Sequence, residues 1–152
     1  MKATGEIEKH LIIRHLKEED IESIVEIDYK VLGERRPSYY RRKLFESSES
    51  PVISLVAELN GKVVGFIVGT LSGWEFGVPS SFGWIDTIGV DPEWQRRGIG
   101  SLLFKKLLEE FANRGVKKVY TLVNWDEWDL LSFFKKMGFK RGDLINLEYD
   151  LS

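Results

Sequence analysis

Cysteine is absent from this chain of 152 residues, and histidine occurs only twice. Without a thiol the chain has no disulfide, no thiolate metal site and no cysteine nucleophile. His10 and His15 fall in a segment that is typical of a first strand, and neither lies near a Gly-x-Ser-x-Gly elbow. We therefore expect both histidines to be structural or surface residues, and we expect neither a bound metal nor a Ser-His-Asp triad.

Long apolar runs are missing as well. None approaches the roughly 18 residues that a membrane-spanning helix needs, and residues 1–9 are polar. The sequence therefore predicts no membrane span and no secretory signal, and we expect a cytoplasmic protein. The formal net charge of −2 argues against bulk attraction to nucleic acid, so nucleic acid is not an expected partner.

The length predicts a single domain over residues 1–152, with one hydrophobic core and no linker. Asn60-Gly61 between two strand patterns is the strongest hairpin signal in the chain. The order of elements is that of a mixed α/β fold without an internal repeat. Periodicity and turn signals predict strands at residues 8–16, 52–59, 62–71, 82–90, 116–123, 139–141 and 145–151, and helices at residues 18–32, 38–46, 102–112 and 126–137.

A turn rich in arginine and glycine, residues 91–101, organises the chain. It lies between a strand pattern that ends at Val90 and an amphipathic helix pattern that begins at Leu102. Gly98 and Gly100 allow the backbone to approach a ligand closely, and the first N–H groups of a helix have no acceptor within the helix. The helix dipole adds positive potential there. The turn therefore predicts an anion site, and phosphate is the most plausible anion.

The spacing distinguishes three kinds of phosphate-binding turn. A Walker loop needs a lysine directly after its last glycine, but the turn contains no lysine and the next one along the chain is Lys105. A dinucleotide-binding fingerprint needs a third glycine where this chain has Leu103. The remaining pattern, Gln95-x-x-Gly98-x-Gly100 after a strand that ends in Val-x-Pro, resembles the pyrophosphate-binding motif of the GNAT superfamily of acyl-CoA-dependent N-acyltransferases. An ordinary basic helix cap, with glycines for packing, is the alternative.

A second motif lies far from the first. Asn124 precedes a helix pattern that ends in Lys136-Met137-Gly138-Phe139, and with the order of elements it makes the chain similar to the GNAT fold over nearly its whole length. The resemblance implies a mixed, mostly antiparallel central sheet with helices on both faces and a V-shaped splay between the fourth and fifth strands. Acetyl-CoA, the co-substrate that the family uses, would lie in that V, and the family implies no metal.

The resemblance also implies which residues contact coenzyme A. Phe134 replaces the tyrosine that in many members protonates the leaving thiolate, so the general acid is unassigned, with water or Tyr120 as alternatives. The usual asparagine position falls on Glu127, so a contact from Asn124 assumes a shift in the loop. The expected coenzyme-binding residues are Ile88, Gly89, Val90, Gln95, Arg96, Arg97, Gly98, Ile99, Gly100, Ser101, Asn124 and Phe134.

The implied reaction is direct attack of a primary amine on the acetyl thioester. A lysine-like amine, with a pKa of about 10.4, is protonated at neutral pH and needs a base, which a carboxylate can supply directly or through water. Asp86, inside an apolar strand, is the leading candidate, with Glu75 and Glu127 in reserve. A structural hydrogen-bond acceptor is the alternative role. Strict alternation predicts that Ile85 and Gly89 share one face of the strand and Asp86 lies on the other.

A basic and aromatic cluster at residues 35–43 would form one wall of the acceptor site. Arg35, Tyr39 and Tyr40 are the expected substrate contacts, together with Trp74 on a later loop. The positive charge would suit an acceptor that is acidic near its reacting amine, and a solvated helix face is the alternative. The identity of the amine (a protein N-terminus, a lysine or a small molecule) stays open, as does the oligomeric state, with a homodimer among the choices.

Two competing functions remain. The phenylalanine at position 134 makes a non-catalytic acyl-CoA-binding or regulatory module an alternative, because the usual acid is missing there. A nucleic-acid-binding domain that uses the basic cluster is weaker, because the net charge is negative. Turnover on a panel of amines would separate the first alternative from an enzyme, and a steeply salt-dependent affinity would revive the second.

Overall fold

A computed structural model of the protein describes residues 10–46, 51–72 and 81–152. Short helical turns at Glu18–Asp20 and Pro92–Trp94 and a π-helical turn at Arg42–Glu46 accompany the regular elements. None of the helices in these ranges is long and apolar enough to cross a membrane. The regular elements are β1 (Leu11–His15), α1 (Ile21–Leu32), α2 (Pro37–Arg41), β2 (Val52–Leu59), β3 (Lys62–Leu71), β4 (Phe82–Val90), α3 (Ile99–Asn113), β5 (Lys118–Thr121) and α4 (Trp128–Lys136).

The chain divides into two compact units, Met1–Thr121 and Leu122–Ser152. The described strands and α1 to α3 belong to the first unit, and α4 belongs to the second. The organisation as one domain over residues 1–152 stays a prediction.

The described strands form one sheet in the order β1-β2-β3-β4-β5. The first four strands pair antiparallel, whereas β4 and β5 pair parallel, joined by the crossover through α3. This parallel pairing starts at Phe82 and ends where Ile85 faces Thr121, although β4 continues to Val90. Beyond that point, this edge of β4 has no strand neighbour in the described ranges. The predicted mixed, mostly antiparallel sheet that opens between its fourth and fifth strands is confirmed.

Helices α1 and α3 cover opposite faces of the sheet. On β3, a Cβ at Gly69 would lie 2.7 Å from the Phe111 ring of α3. Phe66, which points the other way, is buried in a hydrophobic cluster with Ile24 and Ile27 of α1. The strand β3 is therefore the centre of two hydrophobic layers, which explains why nearly all of its residues are buried.

The first helix follows the apolar spacing of the sequence. Its buried side chains include Ile21, Ile24 and Val25, and it ends at Gly33, whose φ of +83° is the left-handed conformation of a helix C-cap. Before it, Asp20 accepts hydrogen bonds from the Arg14 guanidinium at 2.7 and 2.9 Å. The predicted helix over residues 18–32 is confirmed, with its first turn tightened to a 3₁₀ form.

A β-bulge interrupts β4 at Asp86. Ile85 is paired with Gly69 and Thr87 with Val68, so Asp86 is an extra residue without an opposite partner on β3. Such a bulge bends the strand and redirects side chains, and bulges are common beside functional sites. The apolar and polar pattern of the sequence contains no sign of it.

The bulge exchanges the two faces of β4. Before it, a Cβ at Gly83 would lie 3.1 Å from the Phe111 ring in the α3 layer. After it, a Cβ at Gly89 would lie 2.7 Å from the Phe66 ring in the α1 layer. Strict alternation would place both glycines on one face. The prediction that Ile85 and Gly89 share a face is therefore wrong, because the extra residue shifts the alternation by one position.

The two strands predicted at residues 139–141 and 145–151 are also wrong. All of Leu122–Ser152 is described, and its regular structure consists of α4 alone. The apolar residues of 145–151 alternate as in an amphipathic strand, but a strand is stable only when its N–H and C=O groups pair with a neighbour. The periodicity of residues 145–151 indicates an extended amphipathic segment, but it does not show whether another strand is available to pair with it. The helix predicted at residues 126–137 is confirmed as α4.

Replacing Gly69 by alanine should lower the free energy of unfolding by about 1–3 kcal/mol, because the new Cβ would lie far inside contact distance of Phe111 and 3.2 Å from Leu107. Unfolding in urea measures the loss. The double variant Gly69→Ala/Phe111→Leu provides room for the methyl group, so its loss should be smaller than the sum of the two single losses. Additive losses would show that the two residues do not touch.

Candidate functional site

The turn between β4 and α3 contains two residues in the left-handed region of the backbone. φ is +64° at Arg96 and +83° at Gly98, the residue immediately before α3. A residue with a Cβ adopts this conformation at a cost, although a Cβ at Gly98 would itself meet open space. Backbone conformation, rather than packing, therefore requires the glycine at this position.

The main-chain N–H groups in the second half of this turn lack hydrogen-bond partners in the described part of the chain. From Gln95 to Ser101 they form no hydrogen bond with any described residue, and the first bond of the helix start runs from the Leu102 N–H to the Gly98 carbonyl at 3.0 Å. Residues 95–98 are exposed. Exposed, unpaired amides at the positive end of a helix dipole are suited to bind an anion.

Asp91 fixes the start of the turn. Its carboxylate is almost completely buried, and it accepts hydrogen bonds from the Glu93 N–H and from the Lys30 ammonium, both at 3.1 Å. Its own N–H donates to the Val64 carbonyl at 2.8 Å. Burial raises the pKa of Asp91, but the Glu93 N–H and the Lys30 ammonium together lower it below its ordinary value. The main-chain N–H of Asp91 thus ties the turn to β3, and its ionised carboxylate ties the turn to α1.

Two side chains of the turn hold its backbone and leave the amides open. The Gln95 side-chain amide donates to the Val90 carbonyl at 3.0 Å, which closes the turn onto the end of β4. The Arg97 guanidinium lies 4.8 Å from the centre of the Trp94 ring, a cation–π distance. The Trp94 indole N–H is buried without a hydrogen-bond partner in the described part of the chain. The Gln95 side chain therefore stabilises the main-chain conformation of the turn.

The open edge of β4 offers main-chain groups next to the turn. Because the Asp91 N–H bonds to β3, the alternation of an antiparallel pair directs the polar groups of Ile88 and Val90 away from β3. The Val90 carbonyl is the one that Gln95 contacts, which agrees with this direction. Nearer the start of β4, the Thr121 hydroxyl donates to the Ile85 carbonyl at 3.0 Å, where pairing with β5 ends.

Asp86 lies at the bulge with its carboxylate held by two partners. The Thr70 hydroxyl donates to Oδ2, and the Lys43 ammonium lies 3.5 Å from the same oxygen. The Asp86 side chain is 22% exposed, so it is both fixed by neighbours and open to water. A carboxylate in this setting can accept a proton from a group that approaches from solvent.

A buried polar chain supports the strand beside Asp86. The Arg36 guanidinium donates to the buried Asp28 carboxylate at 2.8 and 3.0 Å and to the Tyr40 hydroxyl at 3.2 Å. The Tyr40 hydroxyl also bonds to Thr87, the residue after the bulge. Neither Asp28 nor Arg36 is among the site residues that the sequence predicts. The one available signal was an aspartate on the apolar face of a predicted helix.

Tyr40, expected to contact substrate, lies inside the core. Its ring is fully buried, with its centre 5.8 Å from that of Phe66. Burial raises the pKa of the Tyr40 hydroxyl far above its ordinary value. Tyr39 is partly exposed beside it, with ring centres 5.0 Å apart. Burial raises the pKa of Tyr39, and the charge of Asp86 raises it further. The geometry thus leaves Tyr39, rather than Tyr40, open to a substrate.

Three of the five cations in the cluster at residues 35–43 have carboxylate partners. The Arg35 guanidinium lies 3.0 Å from Glu26 and 3.7 Å from the centre of the Tyr29 ring. Arg36 and Lys43 have their own carboxylate partners, described above. The sequence contains these cationic side chains, but it does not show that carboxylates of α1 and β4 lie next to them. An acceptor that is acidic near its reacting amine stays a prediction.

The remaining predicted site residues lie in the second unit or outside the described ranges. In the second unit, the Asn124 side-chain amide donates to Glu127 at 3.1 Å, and the buried Phe134 ring packs 5.0 Å from Phe139. Trp74 and the reserve base Glu75 lie outside the described residues. In the ranges that are described, no group of three or more His, Cys, Asp or Glu could hold a metal ion.

A groove of about 330 Å³ lies between α1 and α2, away from these residues. Its lining includes Val25, Pro37 and Arg41, and it contains no residue of β4 or of the glycine turn.

Replacing Asp91 by asparagine should lower the free energy of unfolding at neutral pH by about 2 kcal/mol, because the Lys30 ion pair is lost inside the protein. A carboxylate with a lowered pKa stabilises the fold above its ordinary pKa, and the contribution disappears as the pH falls through the folded-state value. The difference from wild type should therefore shrink below pH about 4, as urea unfolding across pH would measure. Glu93→Gln is the control, and a pH-independent difference would contradict this account.

Comparison with known proteins agrees with the fold and the motif. The model of the acetyltransferase (GNAT) family matches residues 18–139. An uncharacterised N-acetyltransferase of Methanocaldococcus jannaschii is 27% identical over 147 residues, which cover 90% of this chain and 64% of that protein. An acetyltransferase of Pectobacterium atrosepticum is 29% identical over 100 residues, which cover 66% of each. The chain thus spans just under two thirds of the length of these relatives.

The fold also matches solved structures. A crystallised aminoglycoside N-acetyltransferase in complex with CoA superposes with a TM-score of 0.76 at 15% identity, over 94% of this chain and 96% of the other. At this identity the match concerns the fold alone. The family model, in contrast, covers most of the sequence, including the glycine turn and β4. The chain belongs to the GNAT family of acetyltransferases.

Proposed function

We propose that this chain is an acetyl-CoA-dependent N-acetyltransferase, which moves an acetyl group to a primary amine by direct attack. The observation that carries the proposal is the run of amides from Gln95 to Ser101 at the start of α3, which have no hydrogen-bond partner among the described residues and begin with the exposed residues 95–98. The family match supports the same chemistry. The chain spans just under two thirds of the length of these curated relatives.

The diphosphate of the coenzyme would bind the amides of the turn. Backbone N–H groups at a helix N-terminus supply several donors and the positive end of the dipole to one anion. Arg96 and Arg97 are exposed and add positive charge at the same place. The pantetheine arm would then run along the open edge of β4, with main-chain contacts at Ile88 and Val90. Gly89, between them, packs toward Phe66.

Asn124 and Phe134 are retained as contacts to the coenzyme arm because the family resemblance implies them. Phe134 has no proton to donate, so the departing thiolate would take its proton from water or from another group. Tyr120 on β5 is one such group, although its ring is packed 5.0 Å from Trp84. The general acid stays unassigned.

Asp86 is the proposed general base. The amine must lose a proton before or as it attacks the thioester carbonyl, and a carboxylate beside the reacting amine can take that proton. The Thr70 hydroxyl and the Lys43 ammonium hold the Asp86 carboxylate in place at the bulge. A main-chain N–H near Ile88 would stabilise the developing oxyanion. Glu127 and Glu75 remain in reserve.

The acceptor would lie against α2 and the bulge of β4. Tyr39 and Arg35 are the proposed wall of its site, and Trp74 is retained from the sequence pattern. Tyr40 is left out of this surface because it is buried. Arg35 and Arg36 are paired with carboxylates, so the charge of these two side chains favours no acidic acceptor. The proposed site would admit a protein N-terminus, a lysine side chain or a small amine as the acceptor.

A second candidate is a module that binds acyl-CoA without catalysis. Phe134, where the family often has an acidic hydroxyl, is the observation that favours it. Both candidates predict coenzyme binding, so binding does not separate them. Release of free CoA on a panel of peptides, polyamines and aminoglycosides does: turnover above the hydrolytic background supports the enzyme, and its absence with every amine supports the module.

Replacing Gly98 by alanine should weaken CoA binding about 10-fold, because a Cβ disfavours the left-handed conformation that presents the amides. Gly115→Ala is a matched control: that glycine has a φ of +81°, also meets open space, and lies beyond the other end of α3. Both variants should lose similar stability, but only Gly98→Ala should lose affinity in calorimetric titration with CoA. Equal losses of CoA affinity in the two variants would indicate that the coenzyme does not bind at the turn before α3.

Replacing Asp86 by asparagine should lower kcat/KM by roughly 10²–10⁴ while leaving the Kd for CoA unchanged, since the proton acceptor is lost and the turn is untouched. Steady-state kinetics with the best amine of the panel, combined with titration of CoA, tests both. Glu109→Gln removes a carboxylate paired with a lysine at 3.6 Å outside the site and serves as the control. Unchanged turnover in the Asp86 variant would assign that residue a structural role.

A further inference from the structure

The ammonium of Lys43 occupies the place where an acceptor amine would have to lie. It is 3.5 Å from Oδ2 of Asp86, the proposed base, and its side chain is 25% exposed. Lys43 reaches this carboxylate from the π-helical turn that follows α2, whereas Asp86 belongs to β4. The contact therefore joins two parts of the fold that flank the proposed acceptor site.

Another lysine pair of the chain is held differently. Lys106 lies 3.6 Å from Glu109 one turn along α3, with its side chain 42% exposed. Such surface pairs within a helix contribute little and leave the lysine in water. Lys43 is less exposed and faces a carboxylate that is also hydrogen-bonded to Thr70. The two lysines thus offer the same chemical group at similar ion-pair distances in two environments.

We propose that Lys43 is an internal acetyl acceptor, a modification site within the acceptor site itself. The inference rests on the proposed function, because it needs acetyl-CoA bound along β4. The Lys43 ammonium loses one proton to Asp86, and the neutral amine attacks the thioester carbonyl. A C–N bond forms, the nitrogen loses its second proton to solvent, the C–S bond breaks, and CoA leaves as a thiolate that takes a proton from solvent. The products are Nε-acetyl-Lys43 and free CoA.

Proximity is the physical reason for this reaction. An amine held beside its base and its acyl donor reacts as though it were present at a very high concentration. A surface lysine is not held in this way, so it does not gain this rate advantage. The product amide is uncharged, so Asp86 loses its cationic partner. The acetylated side chain also fills the place of an external amine. Self-acetylation would therefore reduce turnover in proportion to the fraction of Lys43 modified.

The test uses the full chain and acetyl-CoA with a deuterated acetyl group, so that new acetyl groups differ in mass from those acquired during expression. Peptide mapping by mass spectrometry follows Lys43 and Lys106 in the same sample. Lys43 should be labelled at least about 10-fold faster than Lys106, with a rate constant independent of protein concentration. Asp86→Asn should slow labelling of Lys43 about 10²-fold, and Lys43→Arg should remove it.

Equal labelling of the two lysines, or a rate that rises with protein concentration, would overturn the inference in favour of chemical or intermolecular acetylation. Calorimetric titration with CoA and an external-amine assay on the same preparation separate its failure from that of the proposed function. Coenzyme binding and external turnover without labelled Lys43 refute the internal acceptor alone. Absence of coenzyme binding refutes both.

Discussion

Unpaired main-chain donors between Gln95 and Ser101 are the constraint on which the rest of the structure depends. Folded chains pair most of their backbone N–H groups, and a helix start leaves several that need an acceptor from elsewhere. Here the neighbouring side chains support the backbone without covering its donors: Gln95 bonds to the strand, and Asp91 bonds to its own turn and to Lys30. The donors stay open to a ligand.

The strand β4 connects this anion site to the proposed chemistry. Its pairing with β5 ends at Ile85, and its bulge follows at once at Asp86. The end of pairing leaves an edge along which an extended ligand can bind. The bulge directs the Asp86 side chain toward Thr70 of β3, on the side of the sheet that α1 covers. In the proposed enzyme, a single strand would therefore present main-chain groups to the coenzyme and a carboxylate to the acceptor.

The sequence predicts those features that depend on local physics. The Asn60-Gly61 hairpin, the apolar face of α1 and the glycine at its end follow from turn chemistry and periodicity, and the structure has all three. The unpaired amides follow from the same kind of argument, since a helix start and two glycines are local features.

Features that depend on distant residues were missed. The bulge at Asp86 arises from pairing with β3, and no pattern within β4 encodes it. The neutralisation of Arg35 and Arg36 depends on carboxylates of α1, and the strand predicted at residues 145–151 lacked a partner. Periodicity describes one element at a time, whereas these outcomes are decided between elements.

Amide chemical shifts measured by NMR during titration with CoA test the central claim most directly. The account predicts large shifts and slowed hydrogen exchange at the amides of Gly98 to Ser101, with changes at Ile88 and Val90. Pantetheine, which lacks the diphosphate, should affect Ile88 and Val90 and leave the turn unchanged. Turn amides that do not respond to saturating CoA, with changes confined to the groove between α1 and α2, would contradict it.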